Sequence, residues 1–201
     1  MERNLTITGS ATKTFSPDTV KVYMYLEAVS KTADSAKSVF TSKSTLMTNI
    51  IKQLGFNSDD LRTENFYVDK NYEYIDNNRV QNGYKADCTY SLTMDLDYNS
   101  LESLISGLSQ ALQMRITYDV LLKNREAEEK AVLQLAVENA RSKAEYVASA
   151  CGVKLGDIVG INYDGMQGAV AFRSVNAVDE GVLAPSDVKI TKNIEIMWEI
   201  K

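Results

Sequence analysis

The residues that most often perform acid–base and nucleophilic chemistry are scarce in this sequence. Its 201 residues include no histidine, which excludes serine–histidine–aspartate triads, cysteine–histidine pairs and histidine-containing metal sites. The two cysteines, Cys88 and Cys151, stand far apart and form no CxxC motif. We expect both to be buried as small apolar side chains, Cys88 in a strand and Cys151 in the last turn of a helix.

Two short motifs partly match known binding loops. The segment Gly9-Ser10-Ala11-Thr12-Lys13-Thr14 is similar to a phosphate-binding loop but lacks the second glycine that lets a backbone wrap around a phosphate. The segment Asn162-Tyr163-Asp164-Gly165 is similar to a calcium loop, but the spaced acidic ligands and the terminal glutamate are absent. The sequence therefore predicts no catalytic residue, no metal ligand and no cofactor site.

Carboxylates on a long predicted helix are the remaining candidates for acid–base chemistry, because paired carboxylates can exchange protons with a substrate. They are Glu126, Glu128, Glu129, Glu138 and Glu145. Lys130 follows Glu126 by four residues, and Arg141 lies three or four residues from Glu138 and Glu145, which is the spacing of surface ion pairs on a helix. We interpret this row as a solvated helix face.

Tyrosines form the most distinctive group of side chains. There are eleven, and five fall on one predicted hairpin: Tyr67, Tyr72, Tyr74, Tyr84 and Tyr90. A flat apolar ring with a polar tip suits a protein interface, although tyrosine also simply favours strands. We take Tyr67, Tyr72, Tyr74 and Tyr84 as a candidate interface, with a ligand platform as the alternative.

The elements that position these residues follow from hydrophobic periodicity. It predicts helices over residues 32–54, 100–112 and 124–151 and strands over 5–9, 20–28, 63–75, 84–96, 116–122, 158–163 and 188–200. Thr32 is the expected N-cap and Gly55 the expected C-terminal glycine of the first helix. Turn-rich segments at 76–78 and 81–83 predict a generous hairpin loop. A long surface loop is expected at about 164–187.

Hairpin connections dominate this order, so we predict an α+β fold with a mainly antiparallel sheet and about three helices packed on one face. No linker divides the chain, which predicts a single domain over residues 1–201. Lys192 interrupts the otherwise apolar face of the last strand.

Charge and hydropathy exclude several classes of partner. The net charge is −5 and lysine and arginine are scattered, so neither nucleic acid nor an anionic membrane is an expected partner. No window approaches the length of a transmembrane helix, and the N-terminus lacks the features of a signal peptide. We expect a cytoplasmic protein as the sequence is written, or an exported or cell-envelope protein if a leader was removed.

A set of short motifs spreads over nearly the whole chain. They are Gly9 followed by Pro17-Asp18, Leu54-Gly55-Phe56, Asp60-Leu61-Arg62-Thr63, Tyr72 followed by Gly83-Tyr84, Ala140-Arg141-Ser142-Lys143-Ala144 and Gly152-Val153-Lys154-Leu155-Gly156. In order and spacing they resemble the SIMPL family, which includes bacterial periplasmic immunogenic proteins and is described as a domain of unknown function.

The resemblance implies a non-enzymatic α+β module, often exported, associated with the cell envelope and stress tolerance, that self-assembles into larger oligomers. It brings no catalytic residues. The sequence as written departs from the family pattern in two places: we expect no export signal at its N-terminus, and it carries Ser10-Ala11 where relatives often continue with a second glycine-bearing motif.

Three functions remain open. The first is a self-assembling module, expected to be a homo-oligomer, or a module that binds another protein. The second is a small-ligand carrier with a pocket between the long helix and the sheet or beneath the 164–187 loop. The third is a histidine-free hydrolase or transferase that uses serine, lysine, tyrosine and carboxylates.

Overall fold

A computed structural model describes residues 3–163 and 187–201 of the chain. These residues form two compact units. The central unit comprises residues 18–120, and the terminal unit comprises residues 3–17, 121–163 and 187–201. The single domain over the whole chain stays a prediction. Apart from Asp187, the predicted loop at 164–187 lies outside the described residues.

In the described residues, seven strands and three α-helices follow one another in the predicted order. They are β1 (Asn4–Phe15), β2 (Thr19–Ser30), α1 (Ala33–Gln53), β3 (Leu61–Ile75), β4 (Asn78–Asp95), α2 (Tyr98–Leu112), β5 (Arg115–Leu121), α3 (Arg125–Ala150), β6 (Leu155–Asn162) and β7 (Val188–Ile200). The α+β class with mainly antiparallel strands is confirmed. The strands divide into two sheets, however, and each unit contains one of them.

The central unit is built on a four-stranded sheet in the order β3-β4-β2-β5. Alternation along β2 buries one face of that strand completely, as its sequence predicts. This face shares one apolar core with helices α1 and α2. Among its fully buried side chains are Val20, Val22, Met24, Leu26, Met47, Ile51, Leu101, Leu104 and Leu108.

Local capping fixes where the helices of this unit begin and end. The hydroxyl of Thr32 accepts a hydrogen bond from the backbone of Ser35, whose own side chain accepts one from the backbone of Thr32. Gly55 follows α1 with a φ of +88°, which confirms the expected C-terminal glycine. Within the described part of the chain, no helix combines the length and apolar composition that crossing a bilayer requires.

The β3–β4 hairpin has a much shorter loop than the sequence predicts. Asp76 and Asn77 alone form the turn, both with positive φ (50° and 63°), and Ile75 pairs directly with Asn78. Two consecutive residues with positive φ match the right-handed twist of the flanking strands. The predicted second turn at 81–83 lies inside β4, where Gly83 has a φ of +85° and the strand register shifts.

The terminal unit packs α3 over a three-stranded sheet in the order β1-β7-β6. The expectation that the first strand ends at Gly9 is wrong, because β1 runs on to Phe15 and pairs with β7 throughout. The chain does not turn at Gly9; instead, the backbone of β1 lies very close to α3 there. A Cβ atom there would lie 2.1 Å from the carbonyl oxygen of Ala136. Small residues line this side of α3: Ala136, Ala140, Ala144 and Ala148 are buried.

The two cysteines differ in exposure. Cys88 is buried in β4, as expected, and burial raises the pKa of its thiol. Cys151 is exposed, so the prediction of a second buried cysteine is wrong. It follows the last residue of α3 as its C-cap.

Candidate functional site

One polar cluster in the central unit has the residue types of a hydrolase. Ser91 is buried and donates a hydrogen bond of 2.6 Å to the Glu64 carboxylate, which also lies 2.9 Å from the Lys21 ammonium. The Ser91 hydroxyl and then Lys21 lower the pKa of Glu64, and the hydrogen bond to Glu64 raises the pKa of Lys21. A serine–lysine mechanism needs a neutral lysine as base, so these directions favour a structural role.

A second cluster surrounds Lys192 in the terminal unit. Its side chain is only 6% exposed and its Nζ lies 2.8 Å from Oε2 of Glu129. The other carboxylate oxygen of Glu129 accepts a hydrogen bond of 2.7 Å from Nε of Arg125. These two partners, Lys192 first, lower the pKa of Glu129. The lysine that interrupts the apolar face of β7 is therefore neutralised by the helix above it.

The prediction of a solvated carboxylate row on α3 is partly wrong. Glu126 with Lys130, and Arg141 with Glu145, are exposed ion pairs, as the spacing predicts. Glu129 is different because it turns toward the sheet and binds Lys192. Helical spacing alone could not show this, since the partner lies 63 residues away.

The part of the chain that the structure describes contains no candidate metal site. Over residues 3–163 and 187–201, no three histidine, cysteine, aspartate or glutamate side chains lie together as metal ligands would. At Gly9 the backbone of β1 lies so close to α3 that no ligand fits at that point. The ligand pocket between α3 and its sheet stays a prediction.

The far end of the β3–β4 hairpin projects beyond the sheet. Strand β2 pairs with β4 only from Tyr84 to Asp95, so the earlier residues of β4 pair with β3 alone. We call residues 71–83 the arm. Its exposed large apolar side chains are Tyr72, Tyr74, Ile75 and Val80. Exposed apolar side chains that lie together on a surface mark a candidate interaction site, and a two-stranded ribbon has little stability of its own.

Three of the four predicted interface tyrosines lie together along the hairpin, from Tyr67 before the arm to Tyr74 near its tip. Tyr67, Tyr72 and Tyr74 line an open groove of about 580 Å³, together with Lys70, Arg79, Lys85 and other residues of both strands. The rings of Tyr67 and Tyr74 are largely exposed. Tyr84 lies apart from them, half-buried against the core of the central unit.

Arg79 is a groove residue that sequence reasoning missed. Its guanidinium carbon lies 3.8 Å from the centre of the Tyr72 ring, a cation–π contact. The two-residue turn places Arg79 directly opposite Tyr74. If Asp76 and Asn77 are taken as the two residues of the turn, counting one residue further along each strand from the pair Ile75–Asn78 places Arg79 opposite Tyr74.

Each sheet also has an edge strand with exposed apolar side chains. Strand β3 ends the four-stranded sheet and leaves Phe66 and Tyr67 exposed. Strand β6 ends the three-stranded sheet and leaves Ile158, Val159 and Ile161 exposed, which the sequence analysis did not identify. Edge strands carry unpaired backbone groups that can bind a strand of another chain.

Comparison with known proteins identifies relatives but no activity. The chain is 28% identical over 157 residues to an uncharacterized protein, YggE, of Edwardsiella ictaluri (strain 93-146). That alignment covers 77% of this chain and 65% of the relative, so the chain spans less than two thirds of the relative's length. The family model of SIMPL, described as a protein of unknown function (DUF541), matches residues 5–198. Because this match covers nearly all of the chain, the protein belongs to the SIMPL family.

Proposed function

We propose that the chain is a non-enzymatic module that assembles with a second copy of itself through the arm and the free edge of β3. The observation that carries this proposal is the exposure of aromatic and aliphatic side chains on a hairpin that projects beyond its sheet. Tyr74 has 76% of its surface exposed near the tip of the arm. Tyrosine in such a position supplies contact area at little cost in side-chain entropy.

The distal half of β3 is the part best suited to bind another strand. Near its start, β3 carries Arg62 and Glu64 and a register shift between Thr63 and Asn65. Charges and bulges of this kind oppose edge-to-edge pairing. From Phe66 onward, β3 also carries Asp69, Lys70 and Glu73 and a second register shift between Lys70 and Tyr72. Exposed rings appear only in this half of the strand, at Phe66, Tyr67, Tyr72 and Tyr74. We therefore assign the contact to residues 66–75 and the arm.

The non-enzymatic part of the proposal is supported by protonation states. Lys21 keeps its proton because its pKa is raised, and Ser91 has only 2% of its surface exposed. Neither group is available for nucleophilic attack on a substrate. A cytoplasmic or cell-envelope location and a role in stress tolerance stay predictions from the sequence and the resemblance.

Amide hydrogen exchange at two protein concentrations tests the proposed contact. We expect amides of residues 66–75 to exchange more slowly at high concentration, because strand addition gives them hydrogen-bond partners. Strand β7, the central strand of the other sheet, is the internal reference and should not change. Concentration-dependent protection of β6 instead of β3, or of neither strand, would refute the assignment.

A further inference from the structure

Strand β1 is an edge of the three-stranded sheet, where β7 is its neighbour on one side only. It pairs with β7 without a register shift, whereas the edge strands β3 and β6 each contain two. Over residues 4–12, β1 has no charged residue and no proline. Charges, prolines and bulges are the usual features that prevent an edge strand from binding another chain. This stretch of β1 has none of them, so its edge needs another form of protection.

The backbone groups of β1 that face away from β7 belong to alternate residues. Successive residues of an antiparallel strand direct their N–H and C=O groups to opposite sides. The carbonyl of Arg3 accepts a hydrogen bond from the N–H of Ile200, so the odd-numbered residues of β1 direct their groups toward β7. Thr8 and Ser10 therefore direct theirs toward the free edge.

Two side chains of α3 bind these outward backbone groups. The N–H of Ser10 donates a hydrogen bond of 3.1 Å to Oδ1 of Asn139. The Nζ of Lys143 donates one of 3.2 Å to the carbonyl of Thr8. Asn139 and Lys143 are four residues apart, so they project from the same side of the helix. The close contact of β1 with α3 at Gly9, between the two bound residues, brings both side chains within reach of the edge.

We propose that Asn139 and Lys143 prevent the free edge of β1 from binding β1 of a second copy. Two copies of a regular, uncharged strand can pair antiparallel about a twofold axis, because such a contact is self-complementary. The second strand would lie about 4.8 Å from the first, in the space that the two side chains occupy. It would also need the donor and the acceptor that they already bind. This inference concerns the terminal unit and does not rest on the proposed contact through β3.

Removal of both side chains tests the inference. We expect Asn139→Ala/Lys143→Ala to form larger species than the wild type at equal concentration, because the edge of β1 is then free. Sedimentation velocity measures the size of these species. Amide exchange locates the contact: in the variant alone, residues 6–12 should exchange about tenfold or more slowly at high than at low concentration. Alanine favours helix, so α3 should be kept.

Matched variants separate the effect on the edge from a general effect on α3. Gln134→Ala/Glu138→Ala removes two side chains of the same spacing, of which the first donates a hydrogen bond to the second, and should sediment as the wild type does. Thr8→Lys, added to the double variant, should abolish the new association, because a charge on an edge strand opposes pairing. Should the double variant unfold, Lys143→Ala alone removes an exposed side chain and has the same two measurements.

The results also separate this inference from the proposed function. A variant that sediments as the wild type does, or whose new association leaves exchange in residues 6–12 unchanged, would overturn the inference. Equal association of the Gln134→Ala/Glu138→Ala control would overturn it too. Exchange in residues 66–75 of the wild type tests the contact through β3 separately. A wild type that does not self-associate would overturn the proposed function and leave this inference standing.

Discussion

At Gly9 the backbone of β1 approaches α3 so closely that no side chain fits between them. Glycine is required at this position because a side chain would have no space, and not because of the backbone conformation. The atoms that a Cβ would meet belong to the helix backbone and to the Ala140 methyl group, at 2.1–2.8 Å. Backbone atoms cannot rotate away as the end of a flexible side chain can. Packing at this point therefore needs glycine on the strand and alanine on the helix.

The substitution Gly9→Ala should destabilise the protein by about 3 kcal/mol, at the upper end of the usual cost of overpacking. Urea unfolding measures the change. Gly160→Ala is the control, because its new methyl group would meet nothing closer than 3.7 Å, at the Met197 Cβ. Equal stability of the two variants would show that α3 does not pack on β1 in this way.

The Lys192–Glu129 pair makes stability depend on pH with a definite sign. The pKa of Glu129 is lowered in the folded state from its ordinary value of 4.5. Its contribution is thus fully present above that value and is lost as the pH falls below it toward the folded pKa. The Glu129→Gln variant has no carboxylate to protonate at this position, so it should lose less unfolding free energy on acidification than the wild type. Urea unfolding of both proteins at a series of acidic pH values measures this difference.

Near neutral pH, Glu129→Gln should lower the free energy of unfolding by about 2 kcal/mol, because it leaves the Lys192 ammonium buried without a counter-charge. That figure is lower than for a fully buried pair, since Glu129 is 29% exposed. Lys192→Met should cost less, because an apolar side chain then fills a buried position. Glu126→Gln, which removes an exposed pair, should change nothing measurable. A loss as large in Glu126→Gln as in Glu129→Gln would contradict the buried-pair account.

At the scale of elements, the turn at the arm tip determines which residues face each other. The sequence contains several turn-forming residues between β3 and β4, and composition alone does not select among them. The positive φ of both Asp76 and Asn77 shows which pair forms the turn. Once the turn is known, the strand register follows and Arg79 comes opposite Tyr74.

Replacing Asn77 by valine should loosen the arm without unfolding the rest of the chain. A β-branched residue at a φ of 63° is strained by about 1–2 kcal/mol, which predicts roughly tenfold faster amide exchange in residues 71–83. Asn77→Gly is the control, because glycine adopts this conformation freely, and it should keep or increase protection. Equal exchange in both variants would mean that the turn does not hold the arm.

Helices and most strands could be predicted because their signals are local. The apolar period of α1 and the alternation of β2 each lie within a single segment, and both predictions are confirmed. The separation into two sheets is not local. Strand β1 pairs with β7 from the opposite end of the chain, for instance Asn4 with Glu199. No short-range pattern specifies such a partner, so local patterns predict a single sheet and do not separate the strands into two.

The candidate site could be predicted only in part, because only some of its signals are local in the sequence. Exposed tyrosines on one hairpin were visible as residue types in a strand segment. The cation stacked on Tyr72 was not, because its position depends on a register that composition leaves open. The exposed edge of β6 was missed because a row of apolar residues in a strand is usually a sign of burial.

For the whole molecule, the central claim is that the arm holds two copies together. The most direct measurement is size-exclusion chromatography with light scattering over a range of concentrations, on the wild-type chain and two serine variants. Tyr74 and Tyr146 are each 76% exposed, one on the arm and one on α3. We predict a wild-type mass that is a multiple of 22.4 kDa, dissociation in Tyr74→Ser and none in Tyr146→Ser. A wild-type mass of 22.4 kDa at every concentration, or equal dissociation of both variants, would contradict the claim.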